Sequence, residues 1–309
     1  MDAIIEAQGL HKRYGATVAV DDLSFTVTPG RVTGLVGPKG AGKSTTMRMI
    51  LGLDRPDAGT ALVGGRPYHA LRTPLRHVGA LLDAAAIHPD RRARDHLLWM
   101  AHANGVPRRR VGEVIELVGL VAVGARAGGR LSAGQRQRLG IAGALLGDPS
   151  VLMFDEPTSD LDAEHRGWLA GLLSSLAAQG RAVLVTGQRM RDLEGVANHL
   201  IVIGRGRLVA DTSVHDLLAA ASCARIAVRT SRRSEVMALL AGAGATVAAI
   251  DRETLTVAGL DPGRIAALLT ERGLPAPEIV EHHATLDEAY MELTRAAGEP
   301  RPPAIQETS

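Results

Sequence analysis

Within GLVGPKGAGKSTT (34–46), Gly37, Gly42, Lys43 and Ser44 satisfy the spacing G-x-x-x-x-G-K-[ST]. The apolar run RVTGLV precedes the motif and the helix-like STTMRMILGL follows it. That context suits a phosphate cradle. Gly37, Gly40 and Gly42 let backbone N–H groups turn inward on a phosphate where side chains would clash. Lys43 is placed to reach the β- and γ-phosphates of a nucleotide, and the Ser44 hydroxyl to bind Mg2+. Pro38, Lys39, Ala41 and Thr45 complete the expected nucleotide contacts. A helix start prefers acids, because its macrodipole is positive there. This one offers Lys43, Ser44, Thr45 and Thr46. An ordinary Gly-rich turn gives no reason for that choice; an anion supplied from outside does.

A second apolar run, SVLMF (150–154), ends in Asp155 and Glu156. Burying carboxylates is costly unless they are paired or bind metal. Asp155 is expected to hold Mg2+, and Glu156 to polarise an attacking water. The competing role, capping the next helix, falls better to Asp160 or Asp162. A third run, AVLVTG (182–187), hands over to Gln188, and strand ends are where ligands sit.

These groups need a scaffold. The chain has 309 residues, enough for about two domains. Its hydrophobic fraction of 46% supports a packed core of Leu, Val, Ile, Ala and Met, since aromatics are only 2%. A net charge of +2 and few aromatics argue against nucleic acid as partner. Lysine occurs only at 12, 39 and 43, so two of three fall inside the cradle. The stretch LGIAGALLG (139–147) is far short of the ~20 apolar residues of a membrane span. The N-terminus has no signal-peptide layout, and a lone Cys223 excludes an internal disulfide.

The segment GGRLSAGQRQRLGIAGALLGDPSVLMFDEPTSDLD (128–162) resembles the nucleotide-binding subunit of ABC transporters. LSAGQ (131–135) looks like that family's signature, in which Ser132, Gly134 and Gln135 open a helix aimed at an anion. The resemblance covers residues 1 to about 220 and implies a P-loop α/β ATPase core with a β-subdomain and a helical subdomain. It further implies two ATP molecules sandwiched head to tail between two such subunits, each signature closing over the other subunit's ATP. Tyr14 matches the aromatic that stacks on adenine, and Asp162 the acid of the D-loop. The helical subdomain, about 83–145, would receive the membrane subunit; Trp99 is either part of that contact or ordinary core. The arginines at 91–94 and 108–110 read as solvated faces.

Four positions depart from the family. Lys39 replaces the usual asparagine, and Asp160 a small residue. Asp83 stands near the glutamine that touches Mg2+; a carboxylate is a suitable hard ligand there. Gln188 stands where the family has its switch histidine. Glutamine keeps a donor for a phosphate oxygen but cannot carry charge or shuttle a proton.

After residue 222 a β-α-β-β-α-β order emerges, a split βαβ (ferredoxin-like) α+β domain over 223–298, with Asp261 and Pro262 as a helix start. It resembles the accessory domain of antibiotic and multidrug exporters. His282 and His283 lack a third metal partner. Residues 299–309 read as disordered. The reading is an ATP-hydrolysing subunit at the cytoplasmic face of the membrane, using ATP and Mg2+, working with a second ATP-binding subunit and a separate permease to export drugs or other lipophilic compounds. Two rivals stand beside it: a soluble ABC ATPase outside transport, and a nucleotide-dependent regulatory subunit with weak hydrolysis, to which Gln188 and Asp83 would belong.

Overall fold

The computed structural model describes residues 5–159, 162–223, 226–274, 278–280 and 285–296. Asp160, His282, His283 and the tail 299–309 lie outside them. The chain divides into two units between Ser213 and Val214.

The first unit runs β1 (Ile5–Tyr14), β2 (Thr17–Val27), β3 (Val32–Val36), α1 (Lys43–Ile50), β4 (Ala58–Val63), α2 (Pro74–His77) and β5 (Val78–Leu81). It continues through α3 (Ala93–Ala103), α4 (Arg108–Leu117), α5 (Ala133–Leu145), β6 (Val151–Phe154), α6 (Ala163–Ala178), β7 (Ala182–Gly187), β8 (His199–Gly204) and β9 (Arg207–Ser213). β3, β6, β7 and β8 are buried along their whole length, as near-continuous apolar strands of a covered parallel sheet must be. They form a six-stranded sheet of order β5-β6-β7-β3-β8-β9, parallel except for β9. Arg205 and Gly206, both at positive φ, make the tight β8–β9 turn expected of a Gly-Arg-Gly sequence. Because β3 inserts between β7 and β8, the chain reverses direction across the sheet there. Such a switch point opens a crevice beyond the strands' carboxyl ends.

A second sheet, β2-β1-β4, is antiparallel. In β2, Leu23, Phe25 and Val27 are buried while Ser24 and Thr26 are exposed, the expected one-faced alternation. Helices α3, α4 and α5 pack on one another. Helix begins only at Ala93, later than the expected 83. Residues 83–92 form turns, because Asp83 caps its own turn by accepting the Ala85 N–H (2.7 Å) and Pro89 interrupts the segment. Arg110 is not a solvated arginine: it bonds Glu113 (2.9 Å), Asp148 (3.2 Å) and the Leu145 carbonyl (3.2 Å).

The second unit contains α7 (Val214–Cys223), β10 (Ile226–Arg229), α8 (Arg233–Gly242), β11 (Thr246–Ala249), β12 (Thr254–Ala258), α9 (Pro262–Glu271), β13 (Glu278–Val280) and α10 (Leu286–Ala296). Its antiparallel sheet has the order β11-β12-β10-β13, the interleaving of a split βαβ unit. Asp261 caps α9 by accepting the Arg264 N–H (3.0 Å), with Pro262 in the first turn. The expected division after residue 222 falls at the far end of α7. That helix belongs to this second unit, packing on α10 with Leu217 and Ala221 buried.

Candidate functional site

The carboxyl ends of β3, β6 and β7 are adjacent through the β3–β7 and β6–β7 pairings. They deliver the loop 37–42, the pair Asp155–Glu156 and Gln188 to one cleft of about 540 Å³. Lys39, Gly40, Gly42, Lys43, Ser44 and Thr45 line it, with Asp155, Glu156 and Gln188 across from them. Gly42 has φ 100° and ends the loop as the cap of α1, whose first turn contains no acid. A Cβ there would lie 2.4 Å from the Ala19 carbonyl oxygen, so only glycine allows this approach. Lys43 is buried and donates to the carbonyls of Gly37 (2.7 Å) and Pro38 (3.1 Å), its Nζ 3.9 Å from Glu156 Oε1. Burial pulls its pKa below the ordinary lysine value, against the opposing influence of Glu156 and Asp155.

Thr186, which sequence reasoning left without a role, organises the two acids. Its hydroxyl donates to Asp155 Oδ1 (2.5 Å) and accepts the Glu156 N–H (2.7 Å). Glu156 is at φ 46°, a left-handed conformation uncommon for a residue with a side chain and found preferentially at functional sites. The Gln188 amide donates to Glu156 Oε2 (2.7 Å). One face of the cleft therefore carries a lysine ammonium and a hydroxyl, and the other two fixed carboxylates. Ser44 and Asp155 are hard oxygen donors of the kind Mg2+ takes together with substrate phosphates. Among the described residues no cluster of three or more His, Cys, Asp or Glu side chains could hold a metal alone. Ser44 and Asp155 would hold Mg2+ arriving with a nucleotide, where it would neutralise phosphate charge.

The remaining expected residues stand elsewhere. Leu82, not Asp83, lines the cleft; Asp83 is committed to its own turn, so direct Mg2+ ligation by its carboxylate finds no support in this geometry. Tyr14 is exposed beyond the rim. Its hydroxyl donates to Asp54 (2.7 Å), and Lys12 Nζ lies 5.5 Å from the ring centroid. Thr17 and Ala19 from the same sheet line the cleft instead. Ser132 caps α5 in a reciprocal capping box with Gln135 (3.2 and 3.0 Å), which leaves its exposed helix terminus pointing outward. Gly134 lies against His165, so close that a Cβ would meet the ring at 2.7 Å. His165 in turn bonds Asp162, which caps α6 (2.8 Å). The signature and the Asp162 turn are thus locked together outside the chain's own cleft. Trp99 is 57% exposed, with the Arg91 guanidinium 5.0 Å from its ring centroid, so it is not core.

Comparison with known proteins shows the family and the fold. The family model described as "ABC transporter" matches residues 20–159, and a domain of unknown function matches 224–287. The chain is 35% identical over 302 residues to a Nod factor export ATP-binding protein I of Ralstonia nicotianae, covering 94% of each. It is 32% identical over 296 residues to a protein of the same name from Rhizobium sp., covering 94% of this chain and 96% of that one. Among solved structures, an ATP-binding subunit of an ABC transporter shares the fold (TM-score 0.63, 23% identity, 70% of this chain and 92% of that one). So does a dimeric ATP-binding cassette bound to ADP and phosphate (TM-score 0.61, 21% identity, 68% and 98%). The chain belongs to the ATP-binding family of ABC transporters. It is an ATPase of that family.

Proposed function

We propose that this chain is the motor subunit of an exporter, hydrolysing Mg-ATP to drive drugs or other lipophilic compounds through a separate membrane subunit. The observation that carries the catalytic part is the meeting of Lys43, Asp155, Glu156 and Gln188 around one glycine loop. Lys43 would leave its loop carbonyls for the β- and γ-phosphate oxygens, and Ser44 and Asp155 would hold Mg2+, which would supply charge neutralisation at those phosphates. Glu156, fixed by Gln188 and by the Thr186 contact to its backbone, orients the attacking water and accepts its proton. Tyr14, which does not line the cleft, is assigned to the adenine because its ring is exposed while its hydroxyl is held by Asp54. Export is supported by the relatives matched over nearly their whole length, which are named Nod factor export ATP-binding proteins.

No helix among the described residues is long and apolar enough to cross a membrane. The reading assigns the transport path to a separate permease subunit and the chain to the cytoplasmic face of the membrane. The outward signature of Ser132, Gly134 and Gln135 is assigned to the ATP of a second subunit, with Asp162 steadying it through His165. The test is steady-state Mg-ATPase of the full chain beside Glu156→Gln and Ser132→Arg. Glu156→Gln should lower turnover by roughly 10²-fold or more while keeping ATP binding, and should dimerise with ATP in light scattering. Ser132→Arg should bind ATP as a monomer and fail to turn over. Turnover that survives Glu156→Gln would refute the catalytic assignment. A regulatory reading is favoured by one contact, the Gln188–Glu156 hydrogen bond that engages the base. Near-zero wild-type turnover rescued by Gln188→His would establish it.

A further inference from the structure

Glu156 and Gln188 line more than the nucleotide cleft. A second cavity of about 610 Å³ shares both residues and is otherwise lined by Thr158, Ser159, Arg166, Arg189, Arg191 and Asp192. The hydrogen bond between the Gln188 amide and Glu156 Oε2 (2.7 Å) is the partition between the two spaces. Charge in the second cavity is unevenly committed. Asp192 accepts the Arg189 N–H (3.0 Å) and lies 4.0 Å from its guanidinium, so these two largely answer each other. Glu156 is engaged by Gln188 and lies 3.9 Å from Lys43. Arg166 and Arg191 are exposed, and neither makes an ion pair among the described residues. Two uncommitted guanidiniums beside the Thr158 hydroxyl form a donor set for a small oxyanion, while the neighbouring Ser159 hydroxyl is turned to Glu156 Oε2 (3.5 Å). Among the described residues the lining holds no aromatic or large apolar side chain on which a nucleobase could rest.

We propose that this cavity is a binding site for inorganic phosphate, on which the product of ATP hydrolysis pauses as it leaves past Glu156 and Gln188. The inference rests on the ATPase reading of the first cleft. Cleavage there leaves the phosphate beside Glu156 and Gln188, with ADP occupying the loop behind it. The partition is a hydrogen bond between a neutral amide and a carboxylate. It is weaker than an imidazolium–carboxylate pair would be, and so easier to open. Glutamine at 188 thereby acquires a physical purpose that histidine would serve less well.

The experiment is calorimetric titration of inorganic phosphate into the full chain saturated with Mg-ADP. The wild type is compared with Arg166→Ala/Arg191→Ala, Arg166→Lys/Arg191→Lys and Lys43→Met. Phosphate should bind the wild type, weaken about tenfold or more with the alanine pair, and be partly retained by the lysine pair. Both arginines are exposed, so the substitutions leave the core intact. Wild type without phosphate binding, or alanine-pair binding equal to wild type, overturns the proposal. So does loss confined to Lys43→Met, which would put the phosphate in the nucleotide cleft. ATP cleavage is followed in parallel. A chain that cleaves ATP but binds phosphate independently of the arginines refutes the second site and leaves the ATPase reading standing. A chain that binds phosphate through the arginines but never cleaves ATP refutes the ATPase reading and with it the product's passage.

Discussion

Thr186 shows how one hydroxyl can set the relation between two acids with different duties. It donates to the Asp155 carboxylate and receives the Glu156 backbone N–H, so neither acid can shift without the other. Gln188 then fixes the Glu156 carboxylate from outside. A glutamine offers the same donor at every pH, because its amide does not titrate. Histidine at 188 would introduce a group with an unperturbed pKa of ~6.5, charged below that value and neutral above it. Gln188→His is therefore expected to give a pH–rate profile with a titration between about pH 6 and 7 that the wild type lacks. Superimposable profiles would show that residue 188 does not communicate with the base.

Beyond single residues, the C-terminal end of α1 is tied to β1. Asp54, just past α1, accepts from Arg48 Nε (2.7 Å) and Nη2 (3.0 Å) on the helix, and from the Tyr14 hydroxyl at the end of β1 (2.7 Å). These contacts, Arg48 first and Tyr14 second, hold the Asp54 pKa at about 2. Its folded value lies below the ordinary ~3.9, so the stabilisation is complete above that pH and is lost as pH falls toward 2. Asp54→Asn should cost about 1 kcal/mol at neutral pH, with the gap narrowing between pH 4 and 2. Urea denaturation at pH 7 and pH 3 measures it; a gap independent of pH would contradict the linkage. The clamp also explains what the sequence could not convey. Motif spacing made the loop, the two acids and the capping serine legible, because each is dictated by local backbone chemistry. The Tyr14–Asp54–Arg48 knot, the Thr186 bridge and the substitution of Leu82 for Asp83 on the cleft join residues from different elements, or turn on one residue of loop geometry. No local spacing records them. Likewise, 83–92 shares the polar, Ala-rich look of its helical neighbours, and only the Asp83 turn and Pro89 make it a connection.

At the scale of the molecule, α7 decides where the two units part. Its sequence, VHDLLAAASC, follows β9 without a break and reads as a trailing helix of the first unit. In the fold it packs on α10, near the chain's other end, with Leu217 and Ala221 buried. A helix detached from such a partner exposes its apolar face, and exposed apolar surface promotes association. The first unit should therefore tolerate removal of everything after Ser213, because β9 remains paired with β8 and the buried strands around β3 are untouched. A chain ending at residue 222 carries α7 without α10 and should aggregate on heating or elute as higher oligomers. Gel filtration and a thermal melt of the two truncations, side by side, decide the matter. Equal behaviour would mean that α7 gains nothing from α10, and that the boundary is set by the helix's connection to β9 instead of its packing. If the shorter form proves the cleaner and still binds ATP, the nucleotide machinery is self-sufficient, and the second unit acts on it only as an attached domain.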